Sequence, residues 1–264
     1  MKKIMFLHAD FYSGCLRRTV SFDAVLPADA PEGPGPGEPF QTLYLLHGYC
    51  GSCGDWLFHT RIRELAESRR MAVILPSGEN SFYVDCENGA QYGEFTGREL
   101  VAFTRRIFPL SEKREDTLIG GLSMGGYGAL RNGLKYSDTF GSVIALSAAL
   151  ITDAVAANGG DMPGAPEPKE YYRSVFGDPA RLVGRDKDPR ALAKKRKEEG
   201  GPLPAVYMAC GTEDSLLQPS RSMRDCLRDI GVPVTYEEGP GVHDWNFWNT
   251  YIARALDWYF RKEP

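Results

Sequence analysis

The chain has 264 residues, 42% of them hydrophobic and 25% charged, with a net charge of −4. That length fits one α/β domain, and that composition an ordinary globular protein burying about 70–75% of its unfolded surface without disulfide or metal staples. Mild acidity offers nucleic acid and anionic membranes no grip, and no stretch reaches the roughly 20 apolar residues of a transmembrane helix.

The N-terminus, Met1-Lys2-Lys3 followed by Ile4 to Leu7, briefly imitates a signal peptide. The apolar run stops at His8 and Asp10, short of the roughly 7–15 residues that an h-region needs. A cytoplasmic protein is therefore expected, with its six cysteines as thiols. Met5 to Leu26 reads as two strands with a turn near Ser13-Gly14. The Pro/Gly-rich connector 31–37 cannot hold a regular element and reads as a surface loop.

Four short apolar runs, Thr42–Leu46, Ala72–Leu75, Thr117–Gly120 and Ser142–Leu146, predict buried parallel strands. Between them Trp56–Arg69, Glu94–Phe108 and Tyr127–Lys135 have helical spacing. Residues 151 to about 200 are rich in Asp, Pro, Gly and Lys and too poor in apolar residues for a core of their own. They predict a cap-like insertion within a single domain spanning residues 1–264. Strands resume at Ala205–Cys210 and Val232–Glu237, and Trp245–Phe260 closes the chain as an amphipathic helix. Alternating strands and helices predict an α/β fold, a mostly parallel central sheet with helices on both faces.

Gly121-Leu122-Ser123-Met124-Gly125 matches the G-x-S-x-G nucleophile elbow and stands between a strand and a helix, the context that motif requires. A serine hydroxyl needs a base to take its proton. Of four histidines, His8 falls in a strand, His47 in a turn and His59 in a helix. His243 lies in a loop after the last strand, at the sheet edge where α/β sites form. A carboxylate must orient that base. Asp214 is preferred over Glu213 for its shorter side chain further along the loop, and over Asp244, which adjoins His243. The order Ser123, Asp214, His243 is that of α/β-hydrolases. In that fold the backbone N–H groups of Met124 and Tyr49 would form the oxyanion hole, with His47 and Gly48 shaping the second turn.

The sequence resembles the esterase D / tributyrin esterase family in four stretches. These are Leu45-Leu46-His47-Gly48 followed by Trp56, Gly121 to Leu130, Cys210 to Leu217, and Gly241 to Trp248. The resemblance implies hydrolysis of small acyl esters (acetyl, butyryl, in some members feruloyl). The S-formylglutathione hydrolase branch usually carries histidine before the nucleophile. Leu122 here points to the tributyrin and carbohydrate esterase branch. The resulting expectation is a serine carboxylesterase acting through an acyl-enzyme on a small-molecule ester, without cofactor or metal. Acyl transfer to another alcohol and thioester hydrolysis are the alternatives, and a homo-oligomer stays open. Cys50-Gly51-Ser52-Cys53 would need two further ligands to hold zinc, and no second cysteine pair supplies them. Tyr171, Tyr172 and Phe176 are candidates either for a substrate pocket or for packing the insertion down.

Overall fold

The computed structural model describes residues 4–27, 38–87 and 89–261; the connector 31–37 lies outside them. One eight-stranded sheet runs through the molecule in the order β1 (Met5–Ser13), β2 (Arg18–Leu26), β4 (Ala72–Pro76), β3 (Thr42–Leu46), β5 (Thr117–Leu122), β6 (Ser142–Leu146), β7 (Ala205–Gly211), β8 (Val234–Gly239). β1 and β2 pair antiparallel with each other, and β2 with β4; the remaining pairs are parallel. The fold is that of the α/β-hydrolases. Connections leave β3 toward β4 on one side and resume at β5 on the other. The carboxyl ends of β3 and β5 therefore flank a topological switch point, where such sheets bind ligands.

Side chains alternate between the faces of the central strands. Leu43 and Leu45 join Trp56, Ile62, Ile252 and Leu256 on one face, beneath α1 (Asp55–His59), α2 (Ile62–Arg69) and α10 (Trp245–Phe260). Tyr44 and Leu46 join Ile119, Tyr127, Leu130 and Val143 on the other. That face carries α5 (Met124–Lys135) and a helical run of α3 (Tyr92–Glu94), a π-helical turn (Phe95–Glu99) and α4 (Leu100–Ile107).

The expected helix Trp56–Arg69 is two helices. Thr60 is extended, and its hydroxyl donates to the Trp56 carbonyl (2.5 Å) and accepts from Ile62 N–H (3.2 Å), replacing ladder bonds. The expected helix Glu94–Phe108 begins earlier, at Tyr92, and contains the π turn. The insertion forms α6 (Thr152–Ala157), α7 (Lys169–Phe176) and α8 (Pro189–Glu198), sending Val155, Phe176, Leu182 and Leu192 into the main core. It is clasped to α5 by Arg131, a fully buried side chain. Its guanidinium meets Asp186 Oδ2 at 2.5 Å and Asp85 at 3.4 Å, while Tyr127 Oη donates to the Lys187 carbonyl (2.5 Å).

Two loops at the carboxyl edge are tied by one buried histidine. His47 Nδ1–H donates to the Gly48 carbonyl (2.7 Å), and Nε2 accepts the N–H of Gly78 after β4 (2.8 Å). Those partners permit only the neutral Nδ1–H tautomer. Burial holds the imidazole below its ordinary pKa, outweighing the upward pull of the Gly48 carbonyl and Asp55. Below about pH 6.5 the unfolded chain therefore binds a proton that the folded one refuses, and stability falls with pH. Melting temperatures recorded from about pH 7.5 to pH 5 should fall more steeply for the wild type than for His47→Gln, each referred to its own value at the upper pH. Parallel curves would contradict this.

Candidate active site

Ser123 stands between β5 and α5 with φ 51° and ψ −118°. Such backbone costs a non-glycine residue on the order of 1–3 kcal/mol and persists only when its surroundings enforce it. The enforcement is steric. A Cβ on Gly121 would lie 2.4 Å from the Gly125 carbonyl, and one on Gly125 would lie 2.5 Å from the Leu46 and His47 carbonyl oxygens. With glycine at both positions, the first turn of α5 closes directly onto the end of β3. Ser123 is braced from the β6 side, its N–H donating to the Leu146 carbonyl and its carbonyl accepting from Ala149, both at 2.9 Å.

The same close packing brings the loop after β3 to the serine. An added Cβ on Gly48 would lie 3.7 Å from Ser123 Cβ. Tyr49 follows in that loop, and Met124 opens α5 on the other side of Ser123. Neither the Tyr49 N–H nor the Met124 N–H meets an acceptor among the described residues. Free N–H groups flanking a serine hydroxyl, one at a helix N-terminus, are suited to a developing negative charge.

Beyond β8, the loop 240–244 places His243 Nδ1 2.8 Å from Asp214 Oδ2. The Asp214 side chain is sealed from solvent, whereas His243 stays partly open. Burial alone would push the Asp214 carboxyl up. Hydrogen bonds from His243 and the Leu216 N–H (2.9 Å), with the charge of His243, hold it below its ordinary value instead. The competing carboxylates have other work. Glu213 accepts the Gly241 N–H at 2.6 Å, fastening the loop that carries His243. Asp244 caps α10, accepting from Phe247 N–H at 3.0 Å. The buried Trp248 packs edge-on against the His243 ring, with centroids 4.9 Å apart. The remaining histidines lie elsewhere: His8 against Asp23 (2.6 Å), and His59 stacked on Trp245.

The insertion overhangs the Tyr49 loop. Tyr49 Oη donates to Glu167, and the Tyr49 ring meets that of Tyr171 edge-on at 6.1 Å. Tyr171 Oη donates to the Asn80 carbonyl (2.5 Å), and the Asn80 side chain accepts the Cys50 N–H (2.7 Å). The aromatic trio of the insertion thus divides. Phe176 and Tyr172 are buried packing residues, Phe176 against Phe82 and Tyr127, while Tyr171 alone touches the site loop. Sequence reasoning missed Asn80 and Glu167. Tyr49 and Glu167 are 118 residues apart, and no local pattern marks such a pair.

The Esterase family model matches residues 13–259. An acetyl esterase of Caldicellulosiruptor saccharolyticus is 50% identical over 257 residues, covering 96% of this chain and 97% of that protein. Among solved structures, the Staphylococcus aureus fluorophosphonate-binding serine hydrolase F (FphF) aligns with a TM-score of 0.87 at 29% identity, covering 98% of this chain and 99% of that one. The S-formylglutathione hydrolase FrmB of Staphylococcus aureus aligns at 0.83 and 30% identity, covering 97% and 99%. The esterase D-like resemblance read from the motifs agrees with these matches. The chain belongs to the Esterase family and is a carboxylic ester hydrolase of the serine α/β-hydrolase type.

Proposed function

We propose that this chain hydrolyses small acyl esters, acetyl esters foremost, through a covalent acyl-enzyme on Ser123. The observation that carries the reading is the 2.8 Å contact between His243 and the sealed carboxylate of Asp214, at the same strand-end edge as the strained Ser123. Ser123 Oγ attacks the ester carbonyl and gives its proton to His243 Nε2. Asp214 holds the Nδ1–H and stabilises the imidazolium. The tetrahedral oxyanion takes the N–H groups of Tyr49 and Met124. Collapse expels the alcohol, which leaves with the proton from His243. Water, deprotonated by the same imidazole, then attacks the acyl-enzyme and releases the acid.

Preference for a small acyl group is supported by the 50% identical protein named an acetyl esterase, and by Tyr171 and Glu167, which cover Tyr49 in the loop beside the serine. Thioester hydrolysis is the second reading, favoured by the likeness to FrmB. Rates on 4-nitrophenyl acetate, butyrate, octanoate and ferulate, with S-formylglutathione in parallel, separate the two. Acetate should lead, and a preference for octanoate or the thioester would overturn the acetyl assignment.

Ser123→Ala should lower kcat on 4-nitrophenyl acetate by on the order of 10⁴-fold or more, and Asp214→Asn by about 10⁴-fold, with native far-ultraviolet dichroism kept in both. Glu213→Gln, which removes the charge but keeps an oxygen to accept the Gly241 N–H, should cost about tenfold or less. Were Glu213→Gln the more damaging of the two carboxylate variants, the orienting role would pass to Glu213.

A further inference from the structure

Cys53, four residues beyond Tyr49, sits in a different environment from Cys50, the other half of its C-x-x-C pair. Cys50 is exposed beside Asn80, and neither cysteine is in a disulfide. Cys53 is buried and comes up against Asp23 of β2, the cross-strand partner of His8 on β1. The ligand atoms of His8, Asp23 and Cys53 all lie within 4.8 Å of one another. The cysteine pair does not act as a unit: Cys53 alone meets two further ligand groups, both supplied by the sheet.

We propose that His8, Asp23 and Cys53 form a binding site for a Zn²⁺-class transition-metal ion, separate from the catalytic residues. Imidazole, carboxylate and thiolate together suit zinc or cobalt and are ill-suited to magnesium or calcium, which take oxygen donors. A deprotonated thiol and a carboxylate with a neutral imidazole balance a divalent charge. Ligands bonded at about 2.0–2.3 Å around a tetrahedral ion stand roughly 3.3–3.8 Å apart. No pair here exceeds 4.8 Å, and His8 and Asp23, in direct hydrogen-bond contact at 2.6 Å, must draw apart to admit an ion. Asp23 and Cys53 form a dry floor, being only 4% and 8% exposed. The His8 side chain is 55% exposed and can turn to admit an ion, leaving the fourth position to water. Burial pushes the Cys53 thiol up, so the ion must displace its proton: the S–H bond breaks, the metal–sulfur bond forms, and H⁺ leaves to solvent.

Cobalt(II) titrated into the purified full-length protein, under a non-thiol reductant at mildly alkaline pH, tests the proposal. Thiolate-to-cobalt charge-transfer absorption should saturate at one ion per chain and be displaced by Zn²⁺. Cys53→Ser should abolish the band and Cys50→Ser should keep it. His8→Ala, a change at an exposed position that leaves the core intact, should weaken binding by about tenfold or more. Absence of the band in the wild type would overturn the site. So would a band that survives Cys53→Ser, or one whose affinity is untouched by His8→Ala.

Discussion

The contact on which the rest depends is backbone against backbone. Gly121, at the end of β5, and Gly125, in the first turn of α5, let that turn settle on the carbonyls that end β3. With no side chain between them, Ser123 has no relaxed conformation to fall back to and is held at a left-handed φ. The same closeness carries the His47–Tyr49 loop to the serine. The proposed nucleophile and the candidate oxyanion donors thus share one packing event. A methyl group at either glycine would push them apart before it changed any reacting atom.

The proposed base, His243, is held by different means. Asp214 is sealed beneath His243 and satisfied by two hydrogen bonds, so its negative charge is stabilised inside the protein rather than by water. Glu213 fastens the loop, Trp248 bounds the ring, and Asp244 caps the helix that follows. Each of these side chains is tied to its own neighbours, and the histidine loop needs no regular structure to keep its place. The insertion adds a third restraint. The buried Arg131 clasps it to α5, and Glu167 and Tyr171 reach from it to the loops of Tyr49 and Asn80.

Much of this was legible in the sequence because it rests on local pattern. Buried parallel strands are apolar runs whatever their neighbours, so Thr42–Leu46 and Ser142–Leu146 coincide with the strands observed. The glycine pair announces the elbow because sterics leave no other residue there. The preference for Asp214 over Glu213 rested on its shorter side chain further along the loop, and the loop's path sets Asp214 against His243 and Glu213 against the Gly241 N–H. Helix α9 (Leu217–Ile230) went unpredicted: it buries only Ser220, Met223 and Leu227 along a heavily charged run. The Met223/Leu227 spacing and the left-handed Gly231 at its end were its available signals. The clasp of Arg131 on Asp186, the bond from Tyr49 to Glu167 and the meeting of His8 and Asp23 with Cys53 are products of topology. Strand order and register create them, and no window along the chain contains both partners.

The central claim is that one strained serine carries the acyl group. Incubation with a 4-nitrophenyl organophosphonate, followed by intact-mass and peptide mass spectrometry, tests it most directly. One adduct per chain is predicted, on the peptide containing Ser123, with its appearance matching the loss of esterase activity and its rate collapsing in His243→Ala. Full inactivation with the adduct on any other residue, or activity that survives stoichiometric labelling of Ser123, would contradict it.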